Sequence, residues 1–109
     1  MRFTKELEEF YISRVDIETL QLLRSTLAPT EKVAILQRSA LHQGKHILIL
    51  KQALRQYQSD SKRVEQITRL IAIREKAIGR FREASKEIEK SMNRKEESIA
   101  YSISRRTGV

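Results

Sequence analysis

The sequence contains no cysteine and no tryptophan, and it has one proline and three glycines in 109 residues. Without cysteine there can be no disulfide, thiolate metal site or cysteine nucleophile, and its absence favours a reducing, cytoplasmic location. With so little proline and glycine, long helices can run without interruption. The longest aliphatic run, Ile47 to Leu50, lies between Lys45 and Lys51 and is far too short to span a membrane. The first ten residues show no apolar segment of a secretory signal.

Positive charge is in excess, and it is unevenly placed. The formal net charge is +8, with 33% of residues charged and 39% hydrophobic. Residues 1–30 have a net charge of −1, residues 31–58 of +4 and residues 59–109 of +5. Such a surplus attracts anionic partners, namely nucleic acid, acidic proteins or anionic lipid. The eight acidic residues from Asp60 onward argue against a helix lying on a membrane surface.

A seven-residue apolar repeat is the strongest pattern in the chain. Alternating steps of three and four keep side chains on one stripe of an α-helix, and a sustained average of 3.5 is typical of helices packed lengthwise. The first stretch of the repeat comprises Val33, Leu36, Ala40, Gln43, Ile47, Leu50, Leu54 and Tyr57. After a polar break it resumes as Val64, Ile67, Ile71, Arg74, Ile78, Phe81, Ser85, Ile88 and Met92.

This pattern predicts an all-α fold with a single domain at residues 1–102. Helices are expected at about residues 4–27, 31–57 and 61–102, followed by a flexible tail at 103–109. Helices two and three form a long antiparallel, coiled-coil-like hairpin, and helix one packs across or along it. In general shape the pattern resembles small helical-hairpin adaptors, such as secretion-system stalk and chaperone proteins or phage assembly scaffolds. No motif diagnostic of a family is present, so no functional residue is transferred.

Local signals place the ends and irregularities of helix one. Pro29 disfavours helical geometry at Ala28, so helix one is expected to end just before it. The segment around Ser13 has mixed character, and Ser13 followed by Asp16 resembles a new capping signal. A kink or short break in helix one is therefore predicted near Ser13.

Capping residues also mark the starts of the other helices. Thr30 is predicted to cap helix two, which would begin at Glu31. The polar segment 58–61 predicts a tight turn, with Ser59 or Asp60 capping helix three. Gly44 inside helix two marks either a close helix crossing or a tolerated weak position.

The predicted lengths of helices two and three do not match. At 1.5 Å per residue, helix three spans about 63 Å and helix two about 40 Å. Beyond Ile88, nothing in one copy of the chain is expected to cover helix three, so self-association is predicted, with a dimer favoured. The candidate protein-interface residues are apolar side chains outside the hairpin seam: Leu70 and Ile73 on helix three, Ile49 on helix two, and Met92 and Ile99 in the overhang.

The sequence shows no arrangement typical of catalysis or cofactor binding. His42 and His46 share a helix face, but Gln43 stands where a zinc-binding helix of a protease needs glutamate, and a third ligand is not apparent. Phosphate-binding glycine loops, nucleophile elbows and catalytic triads are not recognisable. We therefore expect no enzyme, no metal, no cofactor and no small-molecule substrate.

Basic side chains near the turn and along helix three could bind anions. A row of such residues neutralises phosphates in a salt-dependent and largely sequence-independent way. Aromatic residues that would stack on bases are not interleaved with them. The candidate nucleic-acid or anion contacts are Lys51, Arg55, Lys62, Arg63, Arg69, Lys76 and Arg80.

Two polar residues, Gln43 and Arg74, occupy seam positions of the repeat. Polar residues at such positions cost stability and often set helix register or oligomeric state. The alternative is that Arg74 extends its guanidinium past the seam into solvent.

These observations predict a non-enzymatic helical adaptor, assembly protein or chaperone-like protein that acts through helix–helix contacts and self-association. The alternative is a basic nucleic-acid-binding protein that uses the Lys/Arg row of helix three.

Overall fold

The computed structural model describes the backbone of residues 5–106 and the side chains of residues 5–93. It contains three helices: α1 (Lys5–Arg24), α2 (Pro29–Gln56) and α3 (Ser61–Arg106). The described backbone includes no strand, which confirms the predicted all-α fold. In the same range, none of the helices is long and apolar enough to cross a membrane.

Helices α2 and α3 pack against each other through the apolar repeat. Nearly every position of the repeat is buried or half-buried, including Leu36 at 1% exposure and Phe81 at 8%. Leu50 and Ile67, which lie nearer the turn, are both half-buried. The helices are antiparallel, since Gln43 in the middle of α2 bonds to Arg74 in the middle of α3. The predicted hairpin is therefore confirmed.

The turn between α2 and α3 is tight and capped. The Asp60 amide donates a hydrogen bond to the Tyr57 carbonyl over 3.0 Å. The Asp60 carboxylate accepts one from the amide of Arg63 over 3.3 Å, and so satisfies a free donor at the start of α3. Of the two predicted caps for this helix, Asp60 is the one with this bond.

Helix α1 packs on one side of the hairpin, parallel to α3 and antiparallel to α2. Its buried Val15 joins a core cluster with Ala77, Ala84, Phe81 and Leu36, all at most 9% exposed. Partly buried Tyr11, Leu22, Leu23, Ala40 and Ile88 surround this cluster. The alanines of α3 leave room for α1 to approach closely, because they bring only a methyl group to the interface.

Two ion pairs fix the direction of α1. Glu8 pairs with Lys76 over 2.7 Å, and Asp16 pairs with Arg80 over 3.4 Å. Residue numbers therefore increase in the same direction along α1 and α3, so these two helices are parallel. The start of α1 lies near the middle of the hairpin, and its end lies near the start of α2.

The connection from α1 to α2 differs from the prediction at both ends. Helix α1 ends at Arg24, three residues before its predicted end, and α2 begins two residues before its predicted start. Helix α2 begins at Pro29, because proline is well suited to the first helical position, where no amide donor is needed. Ala28 is extended and provides no side-chain cap, so the predicted cap at Thr30 is wrong. Lys32 donates to the Leu23 carbonyl over 2.7 Å and so satisfies an acceptor at the end of α1.

Helix α1 is continuous through Ser13, where the sequence predicts a kink or short break. Val15 is only 6% exposed, and packing of this residue into the core favours helix over the local capping signal. Thr19 donates its hydroxyl hydrogen to the Val15 carbonyl over 2.7 Å, the bond to the fourth preceding residue that threonines inside helices can make.

Helix α3 extends beyond the bundle. It continues to Arg106, four residues past the predicted end. Residues 107–109 of the predicted tail lie outside the described residues. The 46-residue α3 accounts for most of the 73 Å long axis of the molecule.

We expect Leu36→Ala to lower the free energy of unfolding by about 2–5 kcal/mol, because it empties part of the closed seam. The matched control is Leu41→Ala, the same change five positions along α2 at a side chain that is 61% exposed. Its cost should stay within about 1 kcal/mol. Urea unfolding followed by circular dichroism measures both values. Equal losses would contradict the assigned seam.

Candidate functional site

A polar layer joins all three helices at the middle of the hairpin. Arg74 of α3 donates to the Gln43 side-chain oxygen over 2.8 Å, and the Gln43 amide nitrogen donates to the Tyr11 hydroxyl of α1 over 2.9 Å. All three side chains are half-buried. Arg74 is thus bonded across the seam, in contrast to the alternative in which it only extends into solvent. Setting of helix register by this pair stays a prediction.

His46 lies beside the polar layer. The positive charge of Arg74 lowers the pKa of His46 below its usual value, with smaller contributions from desolvation and from His42. The Nε2 atoms of His42 and His46 are 3.2 Å apart, a hydrogen-bond distance that requires at least one neutral ring. The neighbouring cation therefore favours a neutral His46 near pH 7.

Within residues 5–93, the histidine pair has no further metal ligand nearby. Among the described side chains, no group of three histidine, aspartate or glutamate residues is placed to hold a metal ion. Carboxylates do line a groove between α1 and α3, but Glu8 and Asp16 there are paired with Lys76 and Arg80. These pairs attach α1 to α3.

An apolar groove lies between α2 and α3 on a face that α1 does not line. Its volume is about 460 Å³. Buried Leu36 and Phe81 lie at its base, and exposed Leu41 forms part of its wall. A Cβ atom placed on Gly44 would meet nothing within 4 Å, so the groove is open at that point. The complete lining is Leu36, Gln37, Ala40, Leu41, Gly44, Ile78, Phe81, Arg82, Ser85 and Lys86.

The charged side chains that line this groove are both basic. Arg82 and Lys86 are its only charged lining residues, and both belong to α3. Both residues are exposed. The groove therefore combines an apolar base with a cationic edge.

The predicted interface residues fall into different environments. Ile73 is only 2% exposed, so its placement as an outer apolar residue is wrong. It lies one turn before Ala77, on a second apolar row of α3 whose members Ala77 and Ala84 pack with Val15 of α1. Leu70, on the same row, is half-buried.

The other three interface candidates lie on α2 and near the end of α3. Ile49 is 62% exposed and is available at the surface. Met92 is half-buried and lines a small cavity with Pro29, so it is not in an uncovered overhang. The reason is that α2 begins at Pro29, two residues before the predicted start, and reaches Met92. The side chain of Ile99 lies outside the described residues.

The predicted basic row divides into two groups. Four members lie within ion-pair distance of carboxylates: Arg63 with Asp60 (3.5 Å), Arg69 with Glu65 (3.0 Å), Lys76 with Glu8 (2.7 Å) and Arg80 with Asp16 (3.4 Å). Lys51, Arg55 and Lys62 have no such partner among the described side chains. These three lie at the hairpin turn, in the last two turns of α2 and the first turn of α3.

A second surface that the sequence analysis did not single out lies on α1. Phe10, Ile17 and Leu20 are 61%, 53% and 46% exposed, although they belong to the apolar pattern of that helix. The signal was present in the sequence, because these residues recur at steps of seven and three. The sequence did not reveal which face of α1 turns towards solvent, because α1 has apolar residues on two faces.

Comparisons with protein-family models, with curated proteins and with solved structures find no match to this chain.

The polar layer predicts energetic coupling between Tyr11 and Gln43. Tyr11→Phe and Gln43→Ala each remove the same hydrogen bond, so their combined cost should fall short of additivity by about 0.5–1.5 kcal/mol. The control cycle pairs Gln43→Ala with Tyr57→Phe, a tyrosine at the distant turn, and should be additive within about 0.5 kcal/mol. Urea unfolding of the variants measures both cycles. Additivity in both would mean that the Tyr11–Gln43 bond contributes nothing in solution.

Proposed function

We propose that this protein is a non-enzymatic helical adaptor or assembly protein that acts through helix–helix contacts with a partner and with itself. The observation that supports this most is the open apolar groove between α2 and α3. Exposed apolar surface of this kind on a small protein marks an interaction site.

The groove suits an amphipathic helix. Its walls are two helices that run side by side, so its length follows their axes. A helix laid along it would place side chains at positions i, i+3 or i+4, and i+7 against Leu41, Ile78 and Phe81. The missing side chain at Gly44 leaves room for one large anchor of the partner.

The basic edge of the groove favours a partner helix of opposite charge. With Arg82 and Lys86 on one edge and no acidic residue in the lining, a partner helix with glutamate or aspartate along one side is favoured. We therefore propose a partner helix that is apolar on one face and acidic beside it.

The test titrates the ¹⁵N-labelled protein with an acidic amphipathic peptide whose leucines recur at i, i+3 and i+7. A scrambled peptide of the same composition serves as the peptide control. We expect chemical-shift changes concentrated at Leu41, Gly44 and Lys86 with the patterned peptide only. Equal responses to both peptides, or changes that avoid the groove, would contradict the proposal.

Two substitutions at one position provide a matched control. Gly44→Leu fills the groove and should abolish peptide binding, whereas Gly44→Ala adds one methyl group and should largely retain it. Both replace a mid-helix glycine and should stabilise α2, by about 1 kcal/mol for the alanine. Loss of binding in Gly44→Leu therefore cannot be attributed to unfolding, which circular dichroism checks.

Nucleic-acid binding is the second candidate, and the unpaired cations at the turn favour it. Residues 44–74 hold seven basic and two acidic side chains. Lys51, Arg55 and Lys62 are free to contact phosphates without first breaking an ion pair with a described side chain. The Arg63 guanidinium, which pairs with Asp60, lies 4.5 Å from the centre of the Tyr57 ring at the same end.

If this candidate is right, duplex DNA should be retarded in gels at about 50 mM salt, where phosphate contacts are strong. Three phosphate contacts predict a slope of about −2.7 in log K against log salt. Replacing Lys51, Arg55 and Lys62 together by glutamate should abolish the retardation. Replacing Arg14, Arg82 and Lys86 by glutamate changes the net charge equally, away from the turn, and should weaken it only slightly. Equal loss in both triple variants would contradict a site at the turn.

A further inference from the structure

The outer face of α1 carries its own seven-residue repeat. Steps of four and three connect six positions along this face: Glu6, Phe10, Ser13, Ile17, Leu20 and Arg24. We call these six residues the α1 stripe. All six are exposed, and the three apolar members are between 46% and 61% exposed.

The α1 stripe points away from the rest of the molecule. Tyr11, Val15 and Leu23 of α1 contact the core, and Val15 is buried. At 100° per residue, Phe10 and Ile17 lie on the opposite side of the helix from Val15. Ser13 and Leu20 border grooves that α1 shares with α3. All six stripe residues are nevertheless exposed, so another helix could lie along them without displacing α2 or α3.

The order of residues in the α1 stripe is complementary to itself. Two copies of α1 can be placed antiparallel, with a two-fold axis that passes the stripe at the level of residue 15 along the helix. Phe10 of one copy then faces Leu20 of the other. In the same arrangement Ser13 faces Ile17, and both contacts occur twice. The large ring of Phe10 thus meets an aliphatic side chain, and the small Ser13 leaves room for Ile17.

The charges at the ends of the stripe are complementary in the same register. Glu6 of one copy faces Arg24 of the other at both ends of the pair. Neither residue has an ion-pair partner among the described side chains. A parallel arrangement would instead bring Glu6 against Glu6 and Arg24 against Arg24, which is unfavourable.

We infer that α1 is the self-association surface of this protein, and that two copies form a symmetric dimer by antiparallel pairing of their α1 stripes. This inference rests on the proposed function only for self-association, and it names a different surface from the groove between α2 and α3. In the dimer, both grooves and both cationic turns remain accessible.

One contact in this dimer opposes association. Arg14 flanks the stripe close to the two-fold axis and comes near its own symmetry mate. Exposed arginines relieve such a contact by extending into solvent. Asp16 flanks the other side and is already paired with Arg80.

The dimer is expected to be weak. Helix α1 has 20 residues, a length of about 30 Å, and contributes three large apolar side chains per copy. An interface this small falls at the weak end of specific complexes, so we expect a dissociation constant on the order of micromolar.

Sedimentation equilibrium from about 0.05 µM to 1 mM tests the inference, a range that extends well below and above that estimate. The mass should rise from the monomer value of 12.8 kDa towards twice that value. Ile17→Asp should weaken the dimer by on the order of a hundredfold, since it places a charge at the centre of the apolar contact. The control Ile49→Asp is the same substitution at a 62% exposed position of α2, and it should leave the dimer constant unchanged.

Charge exchange tests the register. Glu6→Arg and Arg24→Glu should each weaken the dimer roughly tenfold, because each places like charges together at both ends. The double variant Glu6→Arg/Arg24→Glu should restore the original constant. A parallel dimer would respond differently, because neither single change alters its like-charge contacts.

Several results would overturn the inference: a wild-type protein that is monomeric throughout, an Ile17→Asp variant that still dimerises, equal loss in Ile49→Asp, or no rescue by the double variant. Two further measurements distinguish failure of this inference from failure of the proposed function. Peptide binding in the groove should persist in monomeric Ile17→Asp, and dimerisation should persist in Gly44→Leu.

Discussion

The apolar seam between α2 and α3 is the interaction on which the rest of the molecule depends. Helices in proteins gain most of their stability by packing an apolar face, and α3 packs its apolar face along α2. The seam also determines which sides of the hairpin remain for other contacts. On one side, α3 presents Ala77 and Ala84, which pack with Val15 of α1. On the other side, no third helix of the described part of the chain lines the groove beside Leu41, which stays open.

The molecule has more apolar surface than three helices arranged in this way can bury. Helix α1 has two apolar faces but only one hairpin to pack against, so Phe10 and Ile17 remain exposed. Helix α2 likewise keeps Leu41, Leu48 and Ile49 at the surface, each more than 60% exposed. Isolated exposed leucines need no explanation in a small protein. Residues spaced for a helix partner, or arranged around a groove, are different, because both arrangements give a second helix a continuous surface to cover.

The hairpin could be predicted from the sequence because its repeat is long and unbroken within each helix, and Asp60 was a recognisable cap. The second row of α3 was harder to recognise. Alanines such as Ala77 and Ala84 contribute little to an apolar pattern, so Ile73 looked like an isolated outer residue. The sequence also could not orient α1, because either apolar face could have turned inward. Only the packing of Val15 and the ion pairs of Glu8 and Asp16 settle that question. The groove depends on the absence of a covering helix, which a local pattern does not reveal.

Charge is also distributed unevenly along the hairpin, with the acidic residues of α1 on the bundle half and cations at the turn. The sequence of α1 holds five acidic and three basic residues, and it lies against the bundle half of the hairpin, where Lys76 and Arg80 receive its carboxylates. Arg55 is twelve residues from Gln43 along α2, about 18 Å and so about two screening lengths from the polar layer at physiological salt. Arg55 is therefore largely screened from the charges of the polar layer. Because Lys51, Arg55 and Lys62 belong neither to the groove lining nor to the α1 stripe, anion binding at the turn would leave both protein contacts in place.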